Sequence, residues 1–150
     1  MNELIQMLKE LLGSTVALKF KAHGYHWNVE TDDFPQWHDK FGAIYDALDD
    51  SVDPLAEWIR MLGDYAPFKL SRFSALSKLP ESDVSSDPLM MAADLLKDHE
   101  ASVAAFGAAS IAAANIGQKG LENFLADCMA THQKWAWQLR ASLVKEQEAE

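Results

Sequence analysis

"FPQWHDKFGAIYDALDDSVDPLAEWIRML", residues 34–62, is the stretch on which the fold of this chain turns. Phe41, Leu48, Leu55 and Leu62 stand seven apart, with Tyr45, Val52 and Ile59 between them. That spacing is the seam of a helix packed against other helices. At about 100° per residue, Asp46, Asp50, Asp53 and Glu57 fall within a stripe roughly 60° wide on the opposite side. These carboxylates therefore point away from the helix's own bundle. Taken alone, the stripe is a solvated face; the sharper reading is a cation site at an interface between subunits.

Upstream, Leu4, Leu8, Leu11, Thr15, Leu18, Ala22 and Tyr25 recur at steps of three or four and mark a first helix over about 3–27. "ETDDF" breaks it, with Asp32 or Asp33 placed to cap the second helix and Pro35 tolerated in its first turn. Downstream, Gly63 to Asp87 is long and rich in proline and serine, with "SRFSALSKL" able to form a short helix. Asp87-Pro88 opens a third long helix to about 114, "NIGQKG" is a tight turn, and a fourth helix runs over 121–146. Two short links around one long crossover, which carries the short extra helix, describe an all-α, ferritin-like four-helix bundle.

The 150 residues, 49% of them hydrophobic, fit one domain spanning the chain. No apolar run reaches the roughly 20 residues that a bilayer needs, and "MNELIQMLKELL" reads as an amphipathic helix rather than a signal peptide. The single Cys128 rules out an intrachain disulfide and suits a reducing, cytoplasmic setting. Thirteen basic residues against 23 acidic ones give a net charge of −10. With "MNELIQ" and "KEQEAE" at the two ends there is no basic tail to displace counterions from phosphate, so DNA is not expected as a direct partner. An acidic surface attracts cations instead.

Three of the five histidines, His23, His26 and His38, gather around the first turn. Diiron sites inside ferritin-like bundles use a Glu-x-x-His pair on each of two helices, and this chain has no Glu-x-x-His. His38 lies on the edge of the acidic side, but Asp53 is 15 residues on, about 22 Å along a straight helix. One ion cannot bridge that distance. Two such helices laid antiparallel about a twofold axis would bring His38 of one chain towards Asp53 and Glu57 of another.

"HWNVETDDFPQWH" followed by "DPLAEWIRMLG" resembles the Dps family of mini-ferritins, the DNA-binding proteins from starved cells. His26, Trp27, Asn28, Val29, Phe34 and His38 carry the first motif, and Asp53, Ala56, Glu57, Ile59 and Arg60 the second. The late "WQLRASL" is similar to the family's last helix. The resemblance implies a dodecameric shell with sites at its twofold interfaces that oxidise Fe(II), typically with hydrogen peroxide, and store ferric mineral inside. It implies iron ligation by His26, His38, Asp53 and Glu57, with Glu57 shared between ions and Trp27 beside the site. Asp127 aligns with an acid of the family's threefold iron-entry pore, whereas Asn123 replaces another. Other positions depart from the pattern. Gly42 stands where the family has an acid that helps to hold a second iron, so that position is expected to be weaker, and Gly42→Asp is expected to strengthen it. Thr31 replaces a turn glycine, Trp58 a common arginine, and Pro54 is expected to kink the helix, re-aiming Asp53 or making it an N-cap.

The remaining candidates have plainer readings. Trp27 is a packing residue before it is a redox one. His23, His99 and His132 are structural or solvent-facing, Cys128 is a small buried residue, and Trp135 and Trp137 pack on neighbouring helices. Two other functions compete with the ferroxidase. One is a Dps-like structural shell that binds metal weakly or not at all; the other is DNA compaction. Peroxide-dependent Fe(II) oxidation separates the first from the ferroxidase, and a gel shift tests the second.

Overall fold

The computed structural model describes residues 1–144, so the expected helix end at residue 146 lies outside the described residues. Four long helices, α1 (Asn2–Asn28), α2 (Phe34–Met61), α4 (Pro88–Asn115) and α5 (Lys119–Ser142), are joined by two short turns and a crossover holding α3 (Leu70–Leu76). Local signals start and stop α2 and α4, with proline in the first turn of each and a glycine just past the end. Asp87 caps α4, its carboxylate accepting from the Leu89 N–H at 2.9 Å, and Pro88 fills the first turn. Asp33 occupies the N-cap of α2 but makes no side-chain capping bond. That turn is organised by Thr31 instead, whose Oγ1 accepts from the Asp33 N–H and whose carbonyl accepts from Phe34.

α2 and α4 end alike. The Gly63 N–H bonds to the Arg60 carbonyl and the Asp64 N–H to Ile59, while Gly117 and Gln118 bond to Ala114 and Ala113. Both glycines have positive φ, 98° and 74°, as this way of closing a helix requires. α2 runs unbroken through Pro54, so Asp53 is not the N-cap that the proline suggested. Proline withholds an N–H from the Asp50 carbonyl, and Asp50 is exposed, so water can satisfy the freed oxygen.

α1 packs mainly on α2 and α4 mainly on α5, with α1 also touching α4 and α3. α2 meets α5 sparsely, which leaves an open groove lined by Asp50, Pro54, Phe124, Asp127, Cys128 and Trp135. The seam residues Phe41, Leu48, Leu55 and Ile59 are buried as expected, together with Ile44, while Tyr45, Val52 and Leu62 are half-buried. Two apolar clusters result. One joins Leu8, Leu12, Leu55, Ile59, Phe106 and Leu125, and the other joins Leu18, Phe41, Ile44, Leu48, Leu95 and Leu139.

Between their levels on α4 and α5 sit His99 and His132, buried, with Nδ1 atoms 2.8 Å apart. One ring donates and the other accepts, so both remain neutral while they share a proton. Burial pushes their pKa values down to about 3 and about 4. Nearby, the Lys21 ammonium bonds Asp98 at 2.7 Å and lies 3.3 Å from Asp94. Asp94 also accepts from the Tyr25 hydroxyl and from Ser82, tying the crossover to α1 and α4. Burial raises the Asp98 carboxyl above the ordinary range. At Asp94, burial acts in the same direction but is outweighed by the bonds from Ser82 and Tyr25 and by Lys21.

Two glycines on α1 should respond to alanine with opposite signs. A Cβ on Gly13 would lie 2.8 Å from the Leu76 Cβ and 2.9 Å from the Phe73 carbonyl oxygen, where α3 presses on α1. On Gly24 it would meet nothing within 4 Å. Urea unfolding should show Gly13→Ala destabilised by about 1–3 kcal/mol and Gly24→Ala stabilised by up to about 1 kcal/mol. The histidine pair sets a second expectation. Unfolded histidine titrates near pH 6.5 but the folded pair only near 4 and 3, so as pH falls below 6.5 the unfolded chain takes up protons that the folded one refuses. Stability present above pH 6.5 should be lost towards pH 4, by about 1.4 kcal/mol per pH unit for each histidine. The doubly substituted His99→Leu/His132→Leu protein should show a flatter decline in its pH-dependent thermal unfolding.

Candidate metal centre

His26 projects from the last turn of α1 and His38 from the beginning of α2, and the structure brings them together. The carbonyls of a helix's last turn have no partner within the helix. His38 Nδ1 lies 2.7 Å from the His26 carbonyl oxygen, and His26 Nδ1 lies 2.6 Å from the His38 carbonyl oxygen. A carbonyl only accepts, so each Nδ1 carries a proton, and it is Nε2 that holds the lone pair in the neutral form of each ring. The two rings stack at 3.7 Å with 16° between their planes, and Phe34 covers His38 at 4.8 Å. Helix capping thus sets the tautomer a metal-binding imidazole needs, with the other ring nitrogen held by a backbone carbonyl.

Gly42, one turn after His38, faces the same pair. An ideal Cβ there would lie 2.9 Å from His26 Nδ1 and 3.0 Å from Cε1. One step further along the α1–α2 contact, His23 stacks on Tyr45 at 3.8 Å and lies 4.1 Å from Trp27. Lys19 sits over the Tyr45 ring and pairs with Asp49 at 2.7 Å. These aromatic contacts escaped the sequence reading. Their only trace there is that His23 and His26, three residues apart, share a helical stripe, as do His38, Gly42 and Tyr45.

Asp53 and Glu57 are exposed and one turn apart on α2, within the outward stripe that also carries Asp46 and Asp50. None of the four has an ion-pair partner among the described residues. Like charges at this spacing repel, and a bound cation would relieve that cost. The structure does not join the carboxylates to the imidazoles within one chain. Among the described residues no three His, Cys, Asp or Glu side chains converge on a metal position. Trp27 does not pack as expected in the single chain, being 63% exposed beside His23, and Trp137 on α5 is 59% exposed rather than packed on a neighbouring helix. Asp127 is exposed at the edge of the α2–α5 groove. Burial, with Asp127 beside it, pushes the Cys128 thiol up to about 12, which leaves an unreactive thiol.

Comparison with known proteins agrees with this architecture. A family model described as a ferritin-like domain matches residues 5–149. A relative from Helicobacter pylori, the DNA protection during starvation protein, is 31% identical over 139 residues, covering 92% of this chain and 96% of its own. The crystal structure of antigen TpF1 from Treponema pallidum superposes with a TM-score of 0.91 at 25% identity, over 95% of this chain and 92% of that one. A Dps protein from Vibrio cholerae, described as one of the ferritin-like diiron-carboxylate proteins, gives 0.91 at 25% identity, over 95% and 89%. With His26 and His38 clamped at the α1–α2 turn and the acidic stripe turned outward on α2, the chain belongs to the Dps family of ferritin-like proteins.

Proposed function

We propose that this protein is an iron-oxidising, iron-storing mini-ferritin whose sites lie between subunits of a dodecameric shell. The observation that carries the proposal is the His26–His38 clamp, which holds two stacked imidazoles by their Nδ1 atoms and so reserves Nε2 of each neutral ring for a metal. Imidazole and carboxylate suit Fe(II), and carboxylate suits the harder Fe(III) product. Within one α2 the clamp and Asp53 lie about 22 Å apart, so a complete ligand set calls for Asp53 and Glu57 of a second copy. His26 and Asp53 would seat one ion, His38 a second, and Glu57 would bridge them.

Hydrogen peroxide accepts two electrons, one from each of two ferrous ions: two Fe(II), one H2O2 and two protons give two Fe(III) and two water molecules. Supplying the electrons as a pair avoids the hydroxyl radical that one-electron cleavage of the O–O bond releases. Trp27, exposed beside His23, would flank the site. The outward acidic stripe would gather ferrous ions and receive the ferric product, stored as mineral.

Co-assembled hybrids test the sharing of sites. His26→Ala subunits keep their carboxylates and Glu57→Ala subunits keep their imidazoles, so mixed interfaces rebuild some complete sites. Peroxide-driven Fe(II) oxidation by the hybrids should exceed that of either parent shell several-fold. Activity no greater than the parents', with co-assembly confirmed by mass spectrometry, would refute shared sites.

Protection of DNA, named for the Helicobacter pylori relative, would come in this protein from removing iron and peroxide. The net charge of −10 opposes contact with phosphate. Gel shifts at physiological salt, without divalent metal, should therefore show no retarded duplex at micromolar protein. A salt-sensitive retarded band would instead favour direct DNA compaction.

A further inference from the structure

Gly42 is in the interior of α2 and has no positive φ, so nothing in its backbone calls for glycine. Glycine is also the poorer helix former at such a position. What is unusual at residue 42 is the space. An added Cβ would stand 2.9 Å from His26 Nδ1 and 3.0 Å from Cε1, whereas carbon atoms in contact sit about 3.5–4.0 Å apart. The ring has little freedom to retreat. Its Nδ1 is tied to the His38 carbonyl at 2.6 Å, and its face lies on His38 at 3.7 Å. Moving it to admit a methyl group strains the hydrogen bond that fixes its tautomer and the stack on His38.

We propose that Gly42 is a positioning residue for iron capture: the absent side chain seats the His26 imidazole flat between α1 and α2, with Nε2 presented for metal. The proposal rests on the reading of His26 as an iron ligand. It revises the sequence-based expectation for Gly42→Asp, because an aspartate carries the same intruding Cβ and would displace His26 before its carboxylate reached an ion. The natural site consequently trades a carboxylate for a fixed imidazole. It carries one negative charge fewer than a site with an acid at residue 42, and less demand for a second cation.

The test joins a metal-free readout to a metal-binding one, both on the full chain. Without metal, thermal unfolding is measured for Gly42→Ala in the natural background and in His26→Ala. With the ring present, the substitution should lower the unfolding midpoint; with the ring removed, it should raise it, as a glycine-to-alanine change inside a helix ordinarily does. If Gly42→Ala alone fails to fold while the double variant folds, the same reversal has been observed. Anaerobic titration with Co(II), whose d–d absorption reports its ligands, should then show Gly42→Ala binding at least tenfold more weakly with an altered spectrum. A ligand-orienting partner is typically worth 10–100-fold in affinity. Gly24→Ala, with open space around its Cβ, should leave the titration unchanged, and Gly42→Asp should bind no additional ion.

Overturning results are equally specific. They are the same sign of stability change in both backgrounds, Co(II) affinity of Gly42→Ala within twofold of the natural protein, or a second tight ion in Gly42→Asp. If the stability reversal appears but the natural protein binds no Co(II), Gly42 still seats the ring, and the reading of His26 as an iron ligand is what fails.

Discussion

The orphan carbonyl at the end of α1 sets the geometry of the candidate site. Helix ends leave carbonyls that must find donors, and at His26 the donor is the imidazole of His38, while His26 returns a bond to the His38 carbonyl. The exchange locks the end of α1 to the beginning of α2 across a five-residue turn, residues 29–33. It also dictates which nitrogen of each ring holds its proton. The interaction that satisfies the backbone is thus the one that would prepare the imidazoles as ligands. The stacking of Phe34, the Thr31-centred turn and the empty space at Gly42 all serve the same approach of two helices.

Much of this fold is legible because its signals are local and periodic. The seam from Phe41 to Leu62, the Asp87-Pro88 cap and the glycines closing α2 and α4 each act over a turn or two, so α1 to α5 begin, and α1 to α4 end, within a few residues of their expected positions. The site is legible only as a list. A motif can name His26, His38, Asp53 and Glu57, but the mutual hydrogen bonds depend on the angle between two helices, which no spacing encodes. His99 and His132 are 33 residues apart and meet only because α4 and α5 pack. Pro54 misled in the other direction. A proline signals a break, yet the carbonyl it strands belongs to an exposed residue and the helix continues. Trp27 and Trp137 were read as packed because indole is usually buried, and a single chain offers neither of them enough cover.

The distribution of charge explains why metal chemistry would sit outside the bundle. A buried carboxylate survives only if neutralised. Asp98, the buried acid facing α1, is held by Lys21, and its neighbour Asp94 by Lys21, Tyr25 and Ser82. Those groups are committed to holding the crossover against α1 and α4, and a cation placed among them would have to expel the lysine. The buried imidazoles lack carboxylate company: their Nδ1 atoms satisfy each other, His99 Nε2 is left without a partner, and among the described residues no three His, Cys, Asp or Glu side chains converge there.

On the outer face of α2 the balance is reversed. Asp46, Asp50, Asp53 and Glu57 are exposed to water, and they have no ion-pair partner among the described residues. Such a stripe is stable as a solvated surface, and it is also the part of this molecule where adding a divalent ion costs no existing contact. Whether it acts as a site depends on what is set against it. One copy cannot supply imidazole there, because its own clamp lies about 22 Å up the same helix. In the proposed shell a second, antiparallel copy would supply it. The call for a partner in the proposed site would follow from the continuity of α2: a helix unbroken at Pro54 keeps its carboxylates about 22 Å from its own histidines instead of folding them back.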